Sequence, residues 1–565
     1  MKKDTWSKAT PHEKSVKLQE RWEDLKRKRE PFLSKWRDVS NYISPFSGRF
    51  DVHNHGEDRD LGFICDEEAT HDLNILTAGL ISGASSPARP WFKISPNSPS
   101  ALEDYSAIDW CSKVQNLLLQ VFMKSDTYSV LHQIYRDLAL FGISADLIYD
   151  DYDTAIRHHF LSAGEFCVET NSQNQVDTLY RNFELTVIQA IKFFGYDKLP
   201  REIQDCYRKG NLGQYFEFLH CIEPRIDRDY KSATNENFAW ASYYLCIGCN
   251  EPAILKESGF DYFPAVVPRW DILGGDAYGT SPAIACLPSV RQLQQEAYCK
   301  AQLLEQLVQP PLQVPNNARQ NVVSLSAGAL NFTQNTSPEQ TIKPIVQGTG
   351  DIQAITMDIE QIRQSIKRSF FVDLFMMVQQ TAGDRRTTVE IYALQQEQML
   401  SLGPVVERMQ NELLGRLVNI TFKRLLDAKS LPPAPQSLGK GFDVEFTSVL
   451  AQSQKSVDIN GIDRFISAVS AVAQVKPEVL DRVNPDGFID EYRDRLGVAP
   501  KILFSKEDAD KMRQQRQQQQ QAQQQQEQEN MNAQNQNYMA QAQKSGAEAS
   551  QVMQGLDEVG GGGLF

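Results

Sequence analysis

Two long helical segments enclose a short, turn-rich segment in the middle of the chain. The first covers about residues 281–309 and begins at Ser281-Pro282, where an N-cap residue precedes a proline at the first helical position. Pro310-Pro311 ends this helix, and Pro288 inside it either bends the helix or marks its true start. The sequence therefore predicts a long helix whose ends are set by proline residues.

The second helical segment covers about residues 351–376. Its apolar side chains recur at helical spacing along one stripe: Ile355, Ile359, Ile362, Ile366 and Phe370. Residues 312–350, which separate the two helices, are polar and rich in turn residues, with strand-like runs at 321–325 and 342–346. Together these patterns predict two long helices that bracket a small unit containing β structure.

The N-terminal half combines long helices with a strand-rich stretch. Hydrophobic periodicity predicts helices at about residues 11–43, 67–84, 103–123 and 127–141. From about residue 146 to 270, short β-branched and aromatic runs alternate with turn residues, and helices are inserted near 184–196 and 199–209. This alternation predicts mixed or antiparallel strands. The fold class is therefore mixed α+β and predominantly helical.

The C-terminal part begins with a loop and a long helix. Residues 377–387 are predicted as a loop that carries Arg385-Arg386, and a helix follows at 388–428, with a kink expected at Gly403-Pro404. A strand is predicted at Phe442 to Phe446 and a small helical domain at 455–497. Twelve of the fifteen residues 514–528 are glutamine, a composition typical of disorder. A helix remains the alternative for this tail if neighbouring chains bundle it.

Composition limits the classes of function. The chain has 565 residues, and 58 Lys and Arg against 72 Asp and Glu give a net charge of −14, which argues against a nucleic-acid binder with a broad basic face. A hydrophobic fraction of 41% excludes disorder of the whole chain. The N-terminus lacks the pattern of a secretory signal, no run of eighteen apolar residues occurs, and nine scattered cysteines suit a reducing compartment. We therefore expect synthesis in a cytoplasm and no membrane partner.

A search for chemical motifs gives no catalytic, cofactor or metal site. No phosphate-binding loop, dinucleotide fingerprint, nucleophile elbow or H-E-x-x-H sequence is present. Cys246-Ile247-Gly248-Cys249 lacks a second ligand pair for zinc, and His158-His159 lies on a predicted strand, where neighbouring side chains point to opposite faces. A ligand-rich run, Asp51, His53, His55 and Glu57, is typical of polar loops. The alternative to a non-enzyme is a metal-dependent nuclease that assembles dispersed carboxylates such as Asp150, Asp151 and Asp153.

Arg385-Arg386 has two interpretations on local sequence. A solvated turn between two helices is the simpler one, and a flexible, basic loop that contacts phosphates is the other. Gln379, Gln380 and Gly383 lie in the same loop, and Lys367-Arg368 precede it on the helix.

Four segments together resemble the portal proteins, or head-to-tail connectors, of short-tailed, podovirus-type bacteriophages. They are Leu73 to Gly83 followed by Pro90-Trp91-Phe92, then Asp137 to Gly142, then Pro268-Arg269-Trp270 with Gly275 to Pro282, and finally the helix, small unit, helix, loop and kinked helix of 281–428. The resemblance covers nearly the whole chain in order and includes the Gln-rich end.

The resemblance implies a portal fold with wing, stem, clip and crown or barrel regions, assembled as a ring of twelve. The implied regions are 1–280 for the N-terminal helices and wing, 281–309 and 351–376 for the stem helices, 310–350 for the clip, 377–388 for the channel loop, 389–450 for the kinked wing helix and strand, 451–504 for the crown, and 505–565 for the tail. Such a ring sits at one capsid vertex of the virion and conducts double-stranded DNA, and it is assembled in the host cytoplasm.

The same resemblance implies partners and site residues. The partners are the terminase large subunit during packaging, a tail or adaptor protein afterwards, and the major capsid and scaffolding proteins. The implied DNA-channel loop residues are Gln379, Gln380, Arg385 and Arg386, with Lys367 and Arg368 as basic stem residues facing DNA. The clip residues for partner docking are Asn316, Arg319, Asn331 and Lys343. A third possibility, a coiled-coil scaffolding protein, is disfavoured by the α/β middle third.

Overall fold

The computed structural model describes most of the chain. The described residues are 10–50, 64–97, 104–228, 234–249, 253–315, 326–333, 343–344, 352–380, 402–435, 441–448, 466–469, 471, 476, 487, 489 and 506–557. The chain divides into two compact units, Met1–Arg464 and Phe465–Phe565. Among the described helices, none combines the length and the apolar composition that crossing a membrane requires.

Four long helices open the first unit, at or close to the predicted positions. They are α1 (Pro11–Ile43), α2 (Glu68–Ala84), α3 (Tyr105–Lys124) and α4 (Thr127–Phe141). Local chemistry sets their ends: Thr10 and Glu13 form a reciprocal capping box at the start of α1, and Gly142 ends α4 in a left-handed conformation with φ of +77°. The α1 helix continues through Pro31.

A five-stranded antiparallel sheet forms the centre of the α/β region, with the strands in sequence order. The strands are β4 (Phe166–Thr170), β5 (Val176–Thr186), β6 (Tyr215–Pro224), β7 (Trp240–Cys246) and β8 (Ala253–Phe260). Alternate residues point to opposite faces. One face packs on Leu18, Trp22 and Leu25 of α1, and the other packs on two short helices, α5 (Val187–Phe194) and α6 (Arg201–Arg208).

Two smaller sheets connect this region to the helices. The strands β2 (Ala145–Asp151), β3 (Ala155–Leu161) and β9 (Ala265–Val266) form an antiparallel sheet with β2 at its centre. The strands β1 (Phe92–Pro96) and β13 (Phe442–Phe446) pair antiparallel, with Phe92 opposite Phe446. The pairing of β1 with β13 holds residues 442–446 against Phe92, the last residue of the first resemblance segment.

The first of the two predicted long helices forms nearly as expected, whereas the second is interrupted. The first, α7 (Pro282–Val308), is continuous through Pro288, so Pro288 is not its start, and 27 residues make it about 40 Å long. The second is broken at Phe370-Phe371 into α8 (Ile352–Ser369) and α9 (Val372–Gln380), and Phe371 has φ of +55°. Residues 377–380, predicted as loop, are therefore helical, and 381–388 lie outside the described residues.

The segment between α7 and α8 contains β structure, as predicted, and forms a small three-stranded sheet in which only Lys343–Pro344 falls within a predicted strand-like run. Its central strand β10 (Leu312–Pro315) pairs parallel with β11 (Leu330–Thr333) and antiparallel with β12 (Lys343–Pro344). The strand-like run 321–325 lies outside the described residues.

After residue 402, the described residues are mainly helical apart from β13. One helix, α10, spans residues 402–427 and contains a π-helical turn at Gln410–Leu414, which the sequence did not indicate. The predicted kink at Gly403-Pro404 borders undescribed residues, and most of 451–504 is also outside the described part. The Gln-rich tail lies in a 52-residue helix, α11 (Lys506–Asp557), so the helical alternative for this segment is correct.

Candidate functional site

The residues predicted to face DNA lie on α8 and α9 or beyond them. Lys367 is partly buried and its Nζ atom lies 2.9 Å from Glu68 Oε1 on α2, whereas the Arg368 side chain is exposed. Gln379 and Gln380 form the last turn of α9. Arg385 and Arg386 lie outside the described residues. The first residues of the predicted channel loop therefore belong to the helix α9. Of the two predicted basic stem residues, Lys367 is paired with an acidic side chain.

The residues predicted for partner docking belong to the small sheet. Asn331 of β11 and Lys343 of β12 both align with Gln313 of the central strand β10, one on each side. Asn316 directly follows β10, and both it and Arg319 are outside the described residues. Strand pairing thus places two of the four predicted residues on either side of one residue of β10, although they are twelve positions apart in sequence.

The helix pair α7 and α8 is attached to the rest of the unit at the start of α2. Gln294 of α7 is buried; its Oε1 accepts hydrogen bonds from the backbone N–H groups of Cys65 and Asp66 at 2.6 and 2.8 Å, and its Nε2 donates to the Asp66 carbonyl at 2.8 Å. From α8, Arg363 Nη2 donates to Asp66 Oδ2 at 2.7 Å. The segment before α2 is therefore held by both long helices.

The helix α9 rests on α2 at a glycine. A Cβ atom added to Gly79 would lie 2.3 Å from the Phe375 ring, so only a residue without a side chain permits this approach. Gly79 belongs to the first resemblance segment, and Phe375 lies five residues before Gln380 at the end of α9. The glycine thus positions the helix that leads into the predicted channel loop.

An acidic and imidazole cluster on the first turn of α2 was missed by the motif search. One ligand atom each from Glu68, His71 and Asp72 lies within 4.8 Å of the others. Asp72 is fully buried, and no described residue donates a hydrogen bond to either of its carboxylate oxygens. Burial, together with the charge of Glu68, raises the pKa of Asp72 to about 7. The signal was visible in the sequence, because positions i, i+3 and i+4 share one helix face.

The third resemblance segment contains a buried ion pair. Arg269 is 1% exposed; its Nη2 donates to Glu412 Oε1 at 2.7 Å, while its Nε and its backbone N–H donate to Oε2 at 3.3 and 3.0 Å. Glu412 lies in the π-helical turn of α10. Arg269 therefore fixes the irregular point of that helix to the segment that precedes α7.

The second and third resemblance segments touch each other through their backbones. A Cβ atom on Gly279 would lie 2.4 Å from the Gly142 carbonyl oxygen, and the Trp270 N–H donates to that same oxygen at 2.9 Å. Ser281, the N-cap of α7, donates its hydroxyl to the Leu140 carbonyl at 2.7 Å. The second and third resemblance segments, more than 120 residues apart in sequence, thus contact each other at the N-terminal end of α7.

The adjacent histidines point to opposite faces, as predicted. His158 Nδ1 lies 2.6 Å from Asp146 Oδ2, and its Nε2 lies 2.8 Å from Thr127 Oγ1. Burial alone would lower the pKa of His158, but the hydrogen bond and charge of Asp146 outweigh it and raise that pKa. His159 contacts Arg181, and burial with this positive charge lowers its pKa to about 4. The two rings do not share a ligand.

The aspartates considered for a nuclease stabilise the turn of a β-hairpin and pair with an arginine. Asp151 Oδ2 accepts from the backbone N–H groups of Asp153 and Thr154 at the turn between β2 and β3, and Asp150 lies 2.8 Å from Arg424 Nη1. Among the described residues, the three aspartates lie outside the cluster that could hold a metal ion. This geometry gives the nuclease alternative no support.

The C-x-x-C sequence closes a turn at the end of β7. Cys246 and Cys249, which lack a second ligand pair for zinc, are joined by a disulfide bond. Seven further cysteines in the described residues are free, four of them buried.

Comparison with known proteins identifies the family of this chain. A family model for the bacteriophage head to tail connecting protein matches residues 15–503. A probable portal protein of Bordetella phage BPP-1 is 39% identical over 501 residues, which cover 88% of this chain and 90% of that protein. The portal protein of Salmonella phage epsilon15 is 33% identical over 497 residues, covering 87% of this chain and 89% of that protein. The chain belongs to the family of bacteriophage head-to-tail connecting proteins.

Proposed function

We propose that this chain is the subunit of a phage portal, a ring of twelve copies at one capsid vertex of the virion. In this proposal, double-stranded DNA enters the capsid through the ring during packaging and leaves through it during ejection. The ring is a structural channel and carries no catalytic site, so a partner ATPase supplies the energy of translocation. Family membership over nearly the whole chain supports this function.

The observation that carries ring assembly is the exposed apolar end of α7. Leu304, Leu307 and Val308 are 42%, 44% and 79% exposed, whereas Leu293 near the other end of the helix is fully buried. Burial of such a stripe against the same helices in neighbouring subunits would form a heterologous interface that closes into a ring.

Passage of DNA requires that a polyanion slides without adhering. Few phosphate contacts release few counterions, so binding stays weak and depends on salt. A chain of net charge −14 that offers cations at only a few positions meets this requirement. We assign these cationic positions to Lys367 and Arg368 on α8 and to Arg385 and Arg386 at the channel loop, where Gln379 and Gln380 are the proposed neutral polar residues.

The small sheet between the stem helices is the proposed docking element for partners. It lies between the end of α7, which is about 40 Å long, and the start of α8, which is about 27 Å long. We assign Asn316, Arg319, Asn331 and Lys343 to contacts with the terminase large subunit and then with a tail or adaptor protein. The major capsid and scaffolding proteins are the remaining proposed partners.

Mass measurement and negative-stain imaging of the purified full chain test the ring. Twelve copies of the 64.0 kDa chain give a particle of about 770 kDa with a central channel. Leu304→Asp with Val308→Asp should reduce the particle to smaller species, and Leu273→Asp, at a residue that is 76% exposed elsewhere, should leave it intact. A monodisperse monomer that hydrolyses DNA in the presence of a divalent cation would contradict the portal function.

A further inference from the structure

We propose that Glu68, His71 and Asp72 on the first turn of α2 bind one divalent transition-metal ion per subunit, of the class represented by Zn²⁺ and Mn²⁺. The three residues are spaced i, i+3 and i+4, which places them on one helix face. Their ligand atoms lie within 4.8 Å of one another. Coordination at about 2.1 Å brings neighbouring ligand atoms to roughly 3.4 Å, so rotation of the exposed His71 and partly buried Glu68 side chains closes the site.

The buried carboxylate of Asp72 is the observation that points to a ligand. Asp72 is fully buried, and neither oxygen has a hydrogen-bond partner among the residues that the structure describes. His71 Nδ1 lies 3.9 Å from Asp72 Oδ1, which is too far for a hydrogen bond. A buried carboxylate without hydrogen-bond donors is costly, because it has lost its hydration and nothing donates to its oxygens in place of water. A cation beside it would provide that compensation.

The nearest protein cations are engaged elsewhere. Lys367 Nζ lies 2.9 Å from Glu68 Oε1, and Arg363 Nη2 donates to Asp66 Oδ2 at 2.7 Å. Both contacts leave the oxygens of Asp72 without a donor. The second oxygen of Glu68, Oε2, lies 3.8 Å from Arg363 Nε, which is too far for a hydrogen bond. One oxygen of Glu68 can therefore bind Lys367 while the other binds the metal.

The ligand types select the metal class. An imidazole and two carboxylates form a mixed nitrogen and oxygen set, which suits Zn²⁺ and Mn²⁺, whereas Ca²⁺ and Mg²⁺ prefer oxygen ligands alone. Three protein ligands leave coordination positions for water. The site would therefore be partly hydrated and open to exchange with ions in solution.

Access and charge also favour a cation. Glu68 and His71 line an open depression of about 390 Å³, together with Cys65, Asp66, Glu67 and Arg363. His71 is 67% exposed and can turn towards an entering ion. Asp66, Glu67 and Glu68 line this depression with Arg363, and Lys367 pairs with Glu68, so the local charge is negative even before Asp72 is counted. The position at the junction of α2 and α8 means that a bound ion would stabilise the attachment of the long helices.

Equilibrium dialysis of the tag-free, chelator-treated full chain against Zn²⁺, and separately against Mn²⁺, tests the site. We expect one ion per subunit, and we expect Asp72→Asn and His71→Gln each to weaken the affinity by about tenfold or more. Glu67→Gln, which lies in the same depression but outside the ligand set, should bind as the unaltered chain does. His71→Gln changes an exposed side chain, so it remains informative if Asp72→Asn fails to fold.

Spectroscopy on the same samples identifies the ligands. Co²⁺ bound in place of Zn²⁺ should show visible absorption that Glu67→Gln retains and that His71→Gln changes. The assignment would be overturned if neither Zn²⁺ nor Mn²⁺ bound at about 1 mM. Equal metal affinity in the unaltered chain and in both ligand variants would also overturn it.

Discussion

Arg269 and Glu412 join two parts of the chain that are 143 residues apart. The Arg269 side chain is almost completely buried, and Glu412 accepts three hydrogen bonds from this one residue, two of them from the guanidinium group. Glu412 lies where α10 departs from regular α-helical geometry, in the π-helical turn. The pair therefore fixes the irregular point of α10 to the loop that leads into α7.

Removal of the Arg269 side chain should lower the free energy of unfolding. Arg269→Ala leaves Glu412 without its two guanidinium donors, and we expect a loss of about 3 kcal/mol in the free energy of unfolding, measured by urea denaturation of the full chain. Arg269→Lys should recover only part of this loss, because an ammonium group cannot donate in the bidentate way. Arg208→Ala, at an exposed arginine of α6, is the control and should change the stability by less than about 0.5 kcal/mol. Equal stability of Arg269→Ala and the control would contradict the assignment.

The contact between Gly279 and Gly142 gives a second prediction. Gly279→Ala places a methyl group 2.4 Å from a backbone oxygen that cannot move aside, so we expect a loss of at least about 2 kcal/mol, seen as a lower Tm. Gly275→Ala, four residues earlier, meets nothing within 4 Å and serves as the matched control. A Tm in Gly279→Ala equal to that of Gly275→Ala would show that the segment relaxes without cost.

Helix positions in this chain could be predicted because their signals are local. Ser281 accepts from the Ile284 N–H, as an N-cap does, and Gly142 ends α4 in the left-handed conformation that glycine favours. The break at Phe370-Phe371 could not be predicted, since the apolar stripe continues through it. It depends on packing between α9 and α2, where Gly79 faces Phe375. Such tertiary contacts leave no periodic pattern in the sequence.

The buried Asp137 predicts a dependence of stability on pH. Burial raises the pKa of Asp137 to about 7, although Ser162 donates a hydrogen bond to it. Because the folded state then binds the proton more tightly than the unfolded chain does, the free energy of unfolding falls as the pH rises from about 4 to 7, by up to about 4 kcal/mol from this group. Asp137→Asn should remove this part of the slope in urea denaturation curves. An unchanged slope relative to the control Asp205→Asn, at an exposed position of α6, would refute it.

The Gln-rich helix should be dispensable for the ring. Its described side chains are exposed, and 12 of the 15 residues 514–528 are glutamine, so α11 offers no apolar stripe that could drive assembly. Deletion of residues 506–565 is therefore expected to leave the particle assembled, with a mass lower only by that of the missing residues. Light scattering measures this directly, and dissociation into subunits would contradict the prediction.

The candidate site was only partly predictable, for a physical reason. The paired placement of Asn331 and Lys343 beside Gln313 follows from strand register, which short strands in a polar segment do not specify. The pairing of Lys367 with Glu68 joins helices almost 300 residues apart. Charge and spacing within one helix can be read from the sequence, whereas the partner of each charge depends on which helices meet.

Arg385 and Arg386 give the prediction closest to function. Replacement of both by alanine removes two adjacent cations from the proposed channel loop, so we expect the ring to assemble normally while DNA packaging or retention is impaired. The measurements are the mass of the purified ring, the length of packaged DNA and the particle titre. Because a few cations would act on DNA through charge alone, replacement of both by lysine should restore packaging to near the original level.

A charge-matched change elsewhere separates this effect from the change in net charge. Arg27→Ala with Arg208→Ala removes two cations at exposed positions of α1 and α6, and it should leave packaged DNA length and titre unchanged. If the loop variant and this control package DNA equally well, the loop does not contact DNA. If both variants fail equally, the overall charge of the ring, and not the loop, determines how DNA moves through it.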